Sequence, residues 1–182
     1  MKEIFTLLLT TLTFSICLAQ FPIDSETGEV KYLDVVELPN LNKQEIYKKV
    51  KFWMVSTLKS EDNMVELEGS NSEQIIGTGN IIIDSIWVYK KRKNIYRNAN
   101  LNFKFIVFIK DGKLRYSFEN FFCTLRSGLQ INIPEVKSTK GVADKKDKDE
   151  WTKDTSLRIH NKILLLIKNF KTEIQKKDDN DW

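Results

Sequence analysis

Along this chain the spacing of apolar residues switches between two periods, and each switch predicts an element. In LNKQEIYKKVKFWMVSTLKS, Ile46, Val50, Trp53, Met54 and Leu58 recur at helical spacing while Lys48, Lys49 and Lys51 are directed away. Asn42 stands where an N-cap belongs, Glu45 three residues on completes a capping box, and Leu41 is placed to staple onto Ile46. The segment therefore predicts an amphipathic helix that covers a sheet. A second stretch, TSLRIHNKILLLIKNFKTEIQKK, sets Ile159, Ile163, Leu166, Ile167, Phe170 and Ile174 on one side behind a Thr or Ser cap. It predicts a C-terminal helix within residues 154–177.

Elsewhere the period is that of extended chain. Gly28 can take positive φ in a turn, Glu29 to Leu38 read as a strand, and Pro39 ends it. NMVELEG is a short strand and QIIGTGNIIIDSIWVYK a long one, rich in β-branched and aromatic residues. The Asp111-Gly112 pair that follows RNANLNFKFIVFIK is a hairpin signal, because a two-residue type I′ turn needs positive φ at both positions. Pairing Lys110 with Lys113 sets Ile109 opposite Leu114, Val107 opposite Tyr116, Phe105 opposite Phe118, and Phe103 near Asn120. These form a core face. On the reverse face Phe108 comes opposite Arg115, Ile106 opposite Ser117, and Lys104 opposite Glu119, an opposite-charge pair.

The ends and the connections complete the organisation. Ile4 to Leu18 is an apolar, uncharged run behind Lys2, too short for a membrane span of ~20 residues, and Cys17-Leu18-Ala19 supplies small residues for cleavage. Residues 1–19 read as a secretory signal with Gln20 the first mature residue, and the protein is expected to be exported, periplasmic or extracellular. The rival is a lipoprotein anchored through Cys17, against which Ile16 stands where a small residue is wanted. Residues 20–125 form the β-α-β-β-β-β core of a single domain, 126–153 a charged loop, 154–177 the last helix and 178–182 a frayed tail. Strand, helix, antiparallel strands and helix make an α+β two-layer domain with both helices on one face of the sheet.

The segment FPIDSETGEVKYLDVVELPNLNKQEIYKKVKFW, followed by IIGTGNI, resembles a bacterial secreted family of unknown function with a TATA-binding-protein-like fold. Pro22, Asp24, Thr27-Gly28, Tyr32, Val36, Trp53 and the Gly77-x-Gly79 pair carry the resemblance, which spans Phe21 to Leu125. It implies a curved antiparallel sheet backed by helices, and it implies no activity.

Composition narrows the chemistry further. The chain carries 29 basic and 25 acidic residues, a net charge of +4, and cleavage would remove Lys2 and Glu3 together and leave that balance unchanged. Such a charge is far from the concentrated field of a nucleic-acid binder, and none is expected as a partner. Cleavage would also remove Cys17, leaving Cys123 without a disulfide partner in the chain and expected in the core. Gly77 and Gly79 sit within one long strand with no helix start behind them, so they read as a place of close approach, with Trp53 as the expected neighbour, rather than a phosphate cradle. With a single histidine, His160, no histidine metal cluster can form within one chain, and a Cys123–His160 dyad lacks a third group. Asp144, Asp147, Asp149 and Glu150 alternate with lysines and lack the glycine of a calcium loop. No catalytic residue, metal or cofactor is assigned.

The remaining expectation is a non-enzymatic envelope module that binds a protein or amphiphile on its open sheet face through Lys104, Phe108, Arg115 and Phe121. Mixed aromatic and charged groups on a non-core face suit such an interface. The reading that stands against it has the loop after Leu125 cover Phe108 and Phe121. The basic run Lys90, Lys91, Arg92 and Lys93, flanked by tyrosines, offers peripheral contact with an anionic membrane or polysaccharide. A small hydrolase-like periplasmic enzyme, with a site between sheet and long loop, is the alternative.

Overall fold

The computed structural model describes residues 21–58, 64–65, 74–90, 93–125, 130–133 and 145–177. The strands are β1 (Tyr32–Glu37), β2 (Met64–Val65), β3 (Gln74–Lys90), β4 (Lys93–Lys110), β5 (Lys113–Leu125) and β6 (Gln130–Asn132), and the helices are α1 (Lys43–Leu58) and α2 (Lys145–Gln175). All strand pairings are antiparallel, in the order β1-β5-β4-β3-β2, with β6 beside β5. The two helices lie on one face of the curved sheet, which is the α+β two-layer arrangement the patterning predicts.

α1 begins as its sequence dictates. The Asn42 amide donates to Glu45 Oε2 at 2.8 Å and the Glu45 amide donates to Asn42 Oδ1 at 3.0 Å, a reciprocal capping box. Asp111 Oδ1 accepts a third orphan amide, that of Lys43, at 2.8 Å. Ile46, Val50, Trp53, Met54 and Leu58 are all buried, and Leu41 packs partly buried against the core. α2 lays Ile159, Ile163, Leu166, Ile167, Phe170 and Ile174 on the same core. Phe170 meets Trp53 at 4.8 Å between ring centroids, Tyr116 at 5.2 Å and Phe105 at 5.3 Å. Trp53 Nε1 donates to Asn169 Oδ1 at 2.8 Å, so the indole's polar edge is satisfied where the helices meet.

The β4–β5 register is the one the Asp111-Gly112 turn dictates, from Lys110–Lys113 through Phe105–Phe118 to Lys104–Glu119. The turn itself differs from type I′, since φ is positive at Gly112 (73°) but not at Asp111. Its position is held from outside instead. Gly112 donates its amide to Leu41 O at 3.0 Å and accepts that of Leu38 at 2.7 Å, while Asp111 caps α1.

Beyond Lys104 the register shifts. Asn102 pairs with Phe122, so β5 carries one extra residue, and Asn120 within the bulge has φ of 54°. Every side chain after it changes face. Phe121, expected on the open face, is 3% exposed and packs edge-on to Tyr32 at 5.7 Å and near Phe103 at 6.0 Å. Cys123 follows it into the core as expected.

The charged loop expected over 126–153 is shorter than that. β6 pairs with the end of β5, Phe122–Asn132 to Thr124–Gln130, and α2 is already helical at Lys145. The packed apolar stripe carries the helix into Lys145–Lys153, where lysines tolerate it. Thr155 is accordingly an internal residue rather than a cap; it is 1% exposed, and its hydroxyl has no hydrogen-bond partner. Residues 1–19, with the expected signal, and the tail 178–182 lie outside the described residues.

Candidate functional site

The open face is built from alternate residues of β1, β5, β4 and β3. One cross-strand row runs Val35, Arg115, Phe108, Gln74, and the next runs Leu33, Ser117, Ile106, Ile76. Because the helices occupy the opposite face, Leu33 stays 55% exposed, Val35 45% and Phe108 39%. Ile106 and Ile76 are half-buried by their own neighbours, and Ser117 is buried between larger side chains. A strip of apolar surface thus crosses the sheet, of the kind that marks an interaction site when it exceeds a few hundred Å².

Arg115 stands over Phe108, its guanidinium carbon 4.8 Å from the ring centroid. The two residues are directly opposite across β4–β5, so the contact follows from the hairpin register alone. A depression of about 280 Å³ opens beside them, lined by Val35, Phe108, Lys110, Lys113, Leu114 and Arg115.

Of the binding residues expected from the sequence, Phe108 and Arg115 come together on this face. Lys104 lies one row beyond Ile106 and is half-buried, opposite both Thr78 and Glu119. Glu119 takes Lys31 as its ion-pair partner at 3.6 Å, and Lys31 also reaches Asp24 at 3.4 Å. Phe121 does not belong to the site, for the bulge turns it inward. Val35, Leu33, Lys110 and Lys113 complete the surface but were not singled out, although alternation in YLDVVE sends Leu33 and Val35 to one face. Lys91, Arg92 and the side chains of Lys90 and Lys93 lie outside the described residues.

The other chemical candidates have structural positions. Gly79 faces Phe103 and Leu58, not the expected Trp53: a Cβ there would come within 2.6 Å of Phe103 Cζ and 3.1 Å of Leu58 Cδ1. Gly77 and Gly79 both continue β3 in register with Phe105 and Phe103, so no turn or helix N-terminus follows them. Cys123 is buried, and burial pushes its thiol up to about 12, far from the thiolate a nucleophile needs. His160 is half-buried, its Nδ1 2.7 Å from the Tyr32 hydroxyl and its ring edge-on to Phe21 at 5.9 Å. Burial lowers its pKa and raises that of Tyr32. Tyr32 therefore keeps its proton, and the direction of its hydrogen bond with Nδ1 follows the tautomer of the imidazole. Among the described residues no cluster of His, Cys, Asp and Glu is grouped to hold a metal.

Comparison with known proteins bears on the fold. A family model described as a domain of unknown function (DUF4468) with TBP-like fold matches residues 32–123. Among solved structures, a DUF4468 family protein from Bacteroides ovatus ATCC 8483 superposes with a TM-score of 0.56 at 15% identity, over 87% of this chain and 93% of that one. A TBP-like protein from Parabacteroides distasonis ATCC 8503 does so with a TM-score of 0.61 at 12% identity, over 86% and 98%. At such identities the likeness is one of fold. No curated protein matches the chain.

Proposed function

The chain belongs to the DUF4468 family of TBP-like fold, and from that premise we propose that it is an exported binding module whose open sheet face takes up a protein or amphiphilic partner. The observation that carries this reading is the apolar strip centred on the Arg115–Phe108 stack, on the face no described helix covers. The strand ladders fix the backbone beneath these side chains, so binding has side chains but not backbone to order. The aromatic ring offers area, and the guanidinium offers N–H donors to a polar group. Export rests on the apolar segment that ends at Ala19.

The test is the paired change Phe108→Ala with Arg115→Glu, read by circular dichroism and by co-purification from intact envelopes. The fold should persist and the bound partner should be lost. Unfolding would place Phe108 in a second core. Unaltered binding would move the surface elsewhere, with Lys90 to Lys93 the next segment to change.

A further inference from the structure

The depression at the turn end of the open face specifies the chemistry of its partner, on the premise that this face is the binding surface. Its floor is apolar through Val35 and Phe108, and its rim is cationic through Lys110, Lys113 and Arg115. Lys110 and Lys113 are directly opposite each other across the turn, and like charges so placed weaken a sheet unless an anion joins them. Glu37 is in register with Lys113 on β1, yet among the described residues no carboxylate lies within ion-pair distance of Lys110, Lys113 or Arg115. Arg115 sets its guanidinium carbon 4.8 Å from the Phe108 ring centroid. With no described carboxylate at ion-pair distance, its N–H groups suit a carboxylate ligand, which the planar fork matches.

We propose that this depression binds an acidic protein segment. One carboxylate side chain sits between Arg115 and the Lys110–Lys113 pair, and an adjacent apolar side chain lies on Val35 and Phe108, continuing toward Leu33 and Ile106. The charge of the rim sets the sign of the ligand. The openness of the site sets its class: at about 280 Å³, with Val35 45% and Phe108 39% exposed, it is smaller and flatter than the enclosed pockets that bury most of a small molecule. An acyl chain laid there would keep much of its surface in water. A protein segment brings flanking surface that covers the strip.

The experiment is an amide-shift titration of the isotopically labelled protein with three probes: acetyl-Glu-Phe-Glu-Leu-Glu-amide, its glutamine counterpart acetyl-Gln-Phe-Gln-Leu-Gln-amide, and sodium dodecanoate. The acidic peptide should shift the amides of Val35, Phe108, Lys110, Lys113 and Arg115, with an affinity that falls on adding salt. Lys113→Glu and Arg115→Glu, each checked for an unchanged spectrum elsewhere, should lower that affinity about tenfold or more. Equal binding of the glutamine peptide at the same amides would overturn the acidic assignment and leave the open-face reading standing. Tighter binding of dodecanoate than of the acidic peptide would overturn the assignment in favour of an amphiphile. If no probe shifts any open-face amide, the assignment fails together with the reading beneath it.

Discussion

A Cβ on Gly79 would come 2.6 Å from Phe103 Cζ, closer than side chains approach, and Phe103 is itself fully enclosed by the core. Gly79→Val should therefore destabilise the protein by about 1–3 kcal/mol through overpacking, measured by chemical denaturation; no change would mean that the Phe103 ring has room to turn. Thr155 presents the opposite case, a buried hydroxyl with no hydrogen-bond partner. Thr155→Val keeps the shape and removes the unpaired group, and should raise stability by about 1 kcal/mol. His160 makes stability depend on pH. Burial holds its pKa below the ordinary 6.5, so between the two values the unfolded chain binds the more protons. Its contribution is complete above 6.5 and is lost as pH falls through the folded value. His160→Gln should flatten the decline in denaturation midpoint as pH falls below 6.5, whereas the losses from Asp24 and Asp34, both held below 3.8, come at lower pH and persist.

Among the elements, the β4–β5 hairpin was legible from Asp111-Gly112 because a two-residue turn and alternation together leave one register. Phe121 was not, because the bulge depends on Asn120 adopting positive φ, and an asparagine in an apolar run gives no local sign of that. The bulge also divides β5 between partners, with β1 beside its first half and β6 beside its end. Asn120→Gly should leave stability nearly unchanged, since glycine adopts this φ freely. Asn120→Val should lower it by roughly 1–2 kcal/mol, the cost of forcing a branched residue into the left-handed region. Equal denaturation midpoints for the two variants would contradict the bulge. Neither the start of α2 at Lys145 nor the pairing of β6 was legible, for lysine and aspartate runs read as solvated loop until tertiary packing of the later apolar stripe extends the helix into them.

At the scale of the molecule, an aromatic core joins both helices to the sheet through Trp53, Phe105, Phe118 and Phe170, and no described helix covers the opposite face. That division was readable from the sequence because the helical and extended periods each assign one face inward. The place of Val35 in the proposed binding surface was not, since it arises where β1 joins β5 and brings Val35 beside Arg115. Mass spectrometry of the native protein should find Gln20 at the N-terminus, and an intact Met1 or an acylated Cys17 would contradict it.

The open face as the binding surface is tested most directly by photocrosslinking in intact cells. A benzophenone amino acid would replace Phe108, and in a parallel experiment Leu165, which is 63% exposed on α2. Binding on the open face should give a discrete adduct from position 108 that disappears with Arg115→Glu, and none from position 165. An adduct from position 165 alone, or one from position 108 indifferent to Arg115→Glu, would contradict it.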